Sequence, residues 1–140
     1  MPKIAVILSG CGVYDGAEIH ESVITLLALE RGGADVVCAA PNRPQLHVID
    51  HAVGEPTEET RNVAVESSRI ARGPVTELSD LDVSEFDGII FPGGFGAAKN
   101  LCDYAVNGPE MTDGCDVMET YRLSSKLREQ DREYLIQTNE

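Results

Sequence analysis

Pro92-Gly93-Gly94-Phe95-Gly96 is the stretch of this chain best suited to chemistry. It follows the apolar run Gly88-Ile89-Ile90-Phe91 and precedes Ala97-Ala98-Lys99-Asn100, so it reads as a strand-to-helix turn. Glycines let backbone amides approach a ligand closely, and the start of the next helix adds positive potential. A turn of this kind can hold an anion or the oxyanion of a carbonyl addition, with the Gly94 N–H as candidate donor. Taken alone, the same residues describe an ordinary βα turn.

Glu21 is the acid that could work with that turn. It lies one turn into a helical pattern, just beyond the loop Ser9-Gly10-Cys11-Gly12. A helix glutamate is usually a solvated or capping residue. The functional alternative is a buried carboxyl that hydrogen-bonds a thiol and tunes its pKa. Glu18 and His20 flank Glu21, and either could serve in its place.

Sites of this design usually take their nucleophile from a later strand-to-helix turn, and Pro109 to Glu140 contains no such turn. Cys11, at the C-terminal end of the first strand, faces the crevice where α/β sites form and is the weak candidate left. A core or rim role suits Cys11 better, and Cys38 reads as strand packing. Cys102 and Cys115 lie in or after the third helix without the surroundings of a nucleophile. The four cysteines form no CxxC pair, so no zinc knuckle is indicated. His47 and His51 are four residues apart, but in a strand-and-turn region, which does not suit a metal pair.

The elements that must position these residues are legible from periodicity. Ile4-Ala5-Val6-Ile7-Leu8 and Val36-Val37-Cys38-Ala39-Ala40 are continuous apolar runs, typical of parallel strands buried on both faces. Between them a helical pattern runs from Glu18 to Arg31 and stops at Gly32-Gly33. Strand, helix and strand form a βαβ unit. Leu46 to Ile49 suits an edge strand or hairpin arm. Pro56-Thr57 is expected to open a second helix over Glu58 to Ala71, with acids in its first turn and Arg69 and Arg72 at its end. Ser84 to Asp87 reads as a helical turn, and a third helix is expected from Ala97 to Tyr104. The polar stretch from Pro109 reads as an indifferent helix over Asp116 to Tyr134 with a frayed end, and a parallel strand is expected to stand unpaired where further elements of the fold would pack.

Gly10-Cys11-Gly12 with Gly16 sits where phosphate loops sit, but the spacing is not G-x-G-x-x-G. The second strand also ends without the acid that holds a ribose. Dinucleotide binding is therefore the weakest of the readings. The formal charge of −13 and the lack of basic clusters argue against nucleic acid or anionic membrane as partner. No signal peptide, basic presequence or membrane-length apolar run is visible, so reduced thiols in the cytoplasm or the mitochondrial matrix are expected.

Three blocks resemble a known family: Ile4 to Gly16 followed by Glu18-Ile19-His20-Glu21, Glu59-Thr60-Arg61-Asn62-Val63, and Phe91 to Leu101. They look like the ElbB-type proteins of the PfpI-like, class I glutamine amidotransferase-like superfamily. The likeness covers residues 3 to 108, so 1–108 is expected to be a partial domain of that type and 109–140 a divergent polar tail. The resemblance implies an α/β, flavodoxin-like three-layer sandwich with a mostly parallel sheet, incomplete at the C-terminal side, and commonly a homodimer. It implies a glyoxalase site that converts glyoxal to glycolate without cofactor or metal. There a thiolate on a nucleophile elbow adds to the aldehyde and a proton shifts within the hemithioacetal. Glu21 matches the glutamate that holds the thiolate, and Gly93-Gly94 match the oxyanion turn. The elbow cysteine has no match in 109–140. The alternative to an enzyme is a non-catalytic binding or scaffold protein that takes a small aldehyde or anion at the Gly94 crevice.

Overall fold

The computed structural model of the protein describes residues 1–102, Val106 and the backbone of Leu135–Gln137. Strand β1 (Lys3–Ile7) is central because its side chains have nowhere to meet water: Ala5, Val6 and Ile7 are all buried. Its parallel neighbours are β2 (Asp35–Ala40), in the register Lys3 to Asp35, and β6 (Gly88–Phe91), in the register Ile4 to Gly88. Outside them lie β5 (Thr76–Glu77) and β7 (Leu135–Gln137), giving the order β5-β2-β1-β6-β7.

The helices cover both faces. Helix α1 (Ile19–Arg31) starts at the Glu18 cap, whose carboxylate accepts the Glu21 N–H at 2.8 Å, and ends at Gly32. With α2 (Val63–Ala71) it buries Val6, Leu8, Ala17 and Ile90. The opposite face packs Ile7, Phe86, Ile89, Phe91 and Leu101 against Ala97 of the short α3 (Gly96–Asn100) and two 3-10 turns. This is the expected mostly parallel α/β sandwich.

Three sequence expectations need correction. The second helix begins at Val63, not Glu58. Pro56 belongs to β4 (Glu55–Pro56), which pairs antiparallel with β3 (Ile49–Asp50), and Thr57 gives both its N–H and its hydroxyl to Val48 O. The chain is thereby held extended until Asn62, which caps the helix through Val65 N. Glu58 and Glu59 precede that helix, its first-turn acid is Glu66, and Arg72 lies past its end at φ 60°. The second correction concerns Leu135–Gln137, expected as a frayed end. It pairs with Ile89 to Phe91, so β6 is not left unpaired on that side. Third, α3 begins at Gly96, because the glycine turn itself supplies the first helical residue. Asp116 to Tyr134, read as a helix, and Cys115 lie outside the described residues. No helix among the described residues is long and apolar enough to cross a membrane.

Candidate functional site

In a sheet ordered β5-β2-β1-β6-β7 the chain winds outward in one direction from β1 and in the other from β6. Ligands of such sheets bind beyond the carboxyl ends of the strands at that point of reversal. Two loops meet there, residues 8–18 after β1 and residues 92–96 after β6. Backbone hydrogen bonds join them: Glu18 N–H to Gly93 O at 2.7 Å, Phe95 N–H to Val13 O at 2.9 Å and Gly96 N–H to Gly16 O at 2.9 Å.

This joint is why the loops are glycine-rich. Gly94 has φ 110°, and a Cβ there would run into Gly16 O and stand 2.6 Å from Glu18 N. A Cβ on Gly96 would strike the Gly16 backbone. The glycines of both loops thus serve close approach of one backbone to the other.

Of the three candidate side chains at the start of α1, that of Glu21 is the one hydrogen-bonded to the turn. Its Oε2 accepts the Gly93 N–H at 2.7 Å. Glu18 is occupied as the helix cap, and His20 is exposed with Nδ1 3.9 Å from Glu18 Oε1. The contact gives the two glycines different roles. Gly93 N–H is taken up by Glu21 and Gly93 O by the Glu18 N–H, whereas Gly94 gives its carbonyl to Ala97 N–H at 3.4 Å.

Cys11 packs against the core cluster of Val6, Leu8, Ala17, Ile70 and Ile90. The charged groups acting on its half-buried thiol are Arg69 and Glu66 of α2, Asp15, and Arg61. Burial pushes the thiol pKa up; Arg69 opposes this, while Glu66 and Asp15 add to it. This favours the protonated thiol over the nucleophilic thiolate. Cys38 is likewise half-buried and raised by burial, and the Cys102 Sγ faces Ala97 O at 3.6 Å. His47 is exposed, and no group of three or more potential metal ligands occurs among the described residues. In the Gly10-Cys11-Gly12 loop, Gly10 N–H goes to Ser67 Oγ at 3.0 Å and Gly12 N–H to Ala17 O at 2.9 Å. Those amides hold the loop to the protein rather than facing a phosphate.

Sequence reasoning missed Asn100. Its buried amide joins three segments, donating through Nδ2 to Ser9 O and Asp15 O, both at 2.7 Å, and accepting Leu46 N–H at 2.9 Å through Oδ1. It also missed Asp15, whose buried Oδ2 accepts Ile49 N–H at 2.8 Å. A polar residue in a short helix or a loop ordinarily faces water, so neither type nor spacing marked these two. Their only signal was membership of the blocks that carry the family resemblance.

No family model matches the chain. Individual proteins do. The human glutamine amidotransferase-like class 1 domain-containing protein 3, mitochondrial, is 58% identical over 109 residues, covering 77% of this chain and 41% of the relative. The rat ES1 protein homolog, mitochondrial, is 59% identical over 109 residues, with the same coverage. The zebrafish ES1 protein, mitochondrial, is 41% identical over 120 residues, covering 82% of this chain and 44% of the relative. The chain therefore spans less than half the length of the curated relatives it matches. Among solved structures, an isoprenoid biosynthesis protein with amidotransferase-like domain from Ehrlichia chaffeensis superposes with a TM-score of 0.85 at 36% identity. The match covers 96% of this chain and 62% of that one. The relatives of this chain are thus glutamine amidotransferase-like class 1 domain proteins, and the fold it shares with them is the amidotransferase-like α/β sandwich.

Proposed function

We propose that this chain carries the carboxylate and oxyanion part of a glyoxalase-type site for small aldehydes and the hydroxy-acid anions derived from them. The observation that carries the proposal is the 2.7 Å contact between Glu21 Oε2 and Gly93 N–H, a carboxylate fixed beside a glycine turn at the sheet's reversal point. In this reading Glu21 orients the turn and stands ready to hold a thiol or move a proton. Gly94 N–H donates to the oxygen on which negative charge develops. The ElbB-type specificity, the homodimer and the aldehyde substrate all belong to the proposal. So does a mitochondrial matrix location, which the names of the human, rat and zebrafish relatives suggest.

The thiol is the open half of the site. The 109–140 sequence has no elbow like that of the ElbB-type proteins, and Cys11 is held toward the protonated form on the α2 side. A site with a positioned oxyanion donor and no nucleophile keeps only part of the rate. Slow formation of glycolate from glyoxal is the expected outcome. Glu21→Ala lowers it by at least about a hundredfold, the low end expected of a group that moves a proton. Cys11→Ala leaves it unchanged. Turnover that survives Glu21→Ala overturns the catalytic reading. The burial of Cys11 supports a second reading, in which the crevice binds a small anion without turnover. Saturable binding of glycolate together with an absence of glycolate production selects it.

A further inference from the structure

His51 stands in the turn that leaves β3, and both of its ring nitrogens are engaged by backbone. Nε2 lies 3.2 Å from Tyr14 N, which can only donate, so Nε2 is the acceptor. The proton of the neutral ring is then on Nδ1, 3.0 Å from Ile49 O, to which it donates. The imidazole also stacks on the Tyr14 ring, with centroids 4.9 Å apart. A single side chain thus ties the β3–β4 hairpin to the loop after β1.

A second, independent observation lies on the other side of Nε2. Asp15 is only 5% exposed, and its Oδ1 has no hydrogen-bond partner among the described residues. That oxygen is 3.8 Å from His51 Nε2. A buried carboxylate oxygen without a donor is costly. The same nitrogen therefore stands between an N–H that needs an acceptor and a carboxylate that needs a donor. Neutral imidazole serves the first. Imidazolium serves only the second, because its Nε2–H cannot accept from Tyr14.

We propose that His51 is a protonation-controlled clip: when neutral it holds the Tyr14 peptide, and when charged it releases Tyr14 and pairs with Asp15. Histidine is the side chain suited to such a change between about pH 5 and 8. The exchange replaces a neutral hydrogen bond by a charge-assisted one. The ionisable groups beside the ring are Asp15 and Tyr14 of the loop after β1, and its own hairpin carries Asp50 and Glu55, which face each other across the β3–β4 pair. From α3 comes Lys99, whose Nζ donates to Tyr14 O at 2.7 Å. Asp50 is turned to Ala52 N–H at 2.9 Å, which leaves Asp15 as the carboxylate poised for the imidazolium. The clip bears on the crevice because the Tyr14 loop also supplies Val13 O to Phe95 N–H and Gly16 O to Gly96 N–H. The proposal is independent of the reaction assigned to the site.

An NMR titration of the full chain from about pH 8 to about pH 5 tests it, following the His51 ring nitrogens and the Tyr14 amide. The expected result is an Nδ1–H tautomer at high pH. On acidification the protection factor of the Tyr14 amide, corrected for intrinsic exchange, falls about tenfold with the midpoint of His51. Asp15→Asn shifts that midpoint to lower pH. Should Asp15→Asn fail to fold, His51→Gln supplies the test, because its Tyr14 amide is expected not to respond to pH. A Tyr14 amide indifferent to the charging of His51 overturns the proposal. So does a midpoint unmoved by Asp15→Asn, or a pH response that persists in His51→Gln.

Discussion

Glu21 and Gly93 are 72 residues apart in sequence, and the Oε2 of one accepts the N–H of the other at 2.7 Å. The contact crosses the joint between the loops after β1 and β6. It sets the plane of the Pro92–Gly93 peptide, while the Glu18 N–H on Gly93 O, at 2.7 Å, sets that of the Gly93–Gly94 peptide, which carries the Gly94 N–H. The candidate donor and the candidate acid are thus one mechanical unit, and disturbing either is expected to disturb the other.

Glu21→Ala removes a charge-assisted acceptor from a partly buried amide, and a loss of about 2 kcal/mol in unfolding free energy is expected. Glu21→Gln keeps an acceptor oxygen without the charge and is expected to lose less than half as much. Denaturant titration of both variants decides the matter. Equal stability of Glu21→Ala and the parent would show that the contact holds nothing.

Gly94→Ala and Gly33→Ala separate strain from collision. Both glycines have positive φ, 110° and 76°, but a Cβ on Gly33 meets nothing within 4 Å. Gly33→Ala is expected to cost about 1 kcal/mol of backbone strain. Gly94→Ala adds the collision with Gly16 and Glu18, and is expected to cost at least about 3 kcal/mol. Similar melting temperatures for the two variants would contradict the close approach of the loops.

Asn100→Ala leaves Ser9 O, Asp15 O and Leu46 N–H without the partner that joins them, and about 3 kcal/mol of destabilisation is expected. Asn100→Asp is expected to be as damaging at neutral pH, because a carboxylate oxygen then faces two carbonyls. The penalty should ease as pH falls and the acid regains a donor. A pH-independent penalty in chemical denaturation would speak against the assigned orientation of the amide.

How much of this was legible in the sequence varied from element to element. The buried strands and α1 were readable because apolar runs and helical spacing report burial directly, and Gly32 marked the helix end. The start of α2 was not, because Pro56 and two acids imitate a helix start and only the pairing of β3 with β4 shows the chain to be extended there. The strand at Leu135–Gln137 was missed because so short a segment has no periodicity of its own and is made by its partner β6. Near the crevice, the glycine turn was legible by residue type, and Glu21 as one of three neighbours with Glu18 and His20. That Gly93 rather than Gly94 is engaged by Glu21, and that Asn100 and Asp15 are buried, depends on contacts between distant segments.

Cys11 and Cys38 should both alkylate more slowly at neutral pH than a small free thiol, because burial raises both pKa values and thins the thiolate. The linkage has a definite sign. A group whose folded pKa lies above its unfolded one favours the folded state below the unfolded value, and that contribution is lost as pH rises through the folded value. Stability should therefore decline as pH climbs past the ordinary thiol range, and less so in Cys11→Ala. Mass-spectrometric alkylation rates across that range check the first point; fast, pH-independent labelling of Cys11 would refute it.

The most direct test of the proposed site is an amide NMR titration of the chain with glycolate. A saturable shift centred on the Gly94 N–H, weakened in Glu21→Ala and unaffected in Cys11→Ala, is the predicted result. A Gly94 amide that does not respond to glycolate, or responds equally in Glu21→Ala, would contradict the assignment of the glycine turn as an oxyanion site held by Glu21.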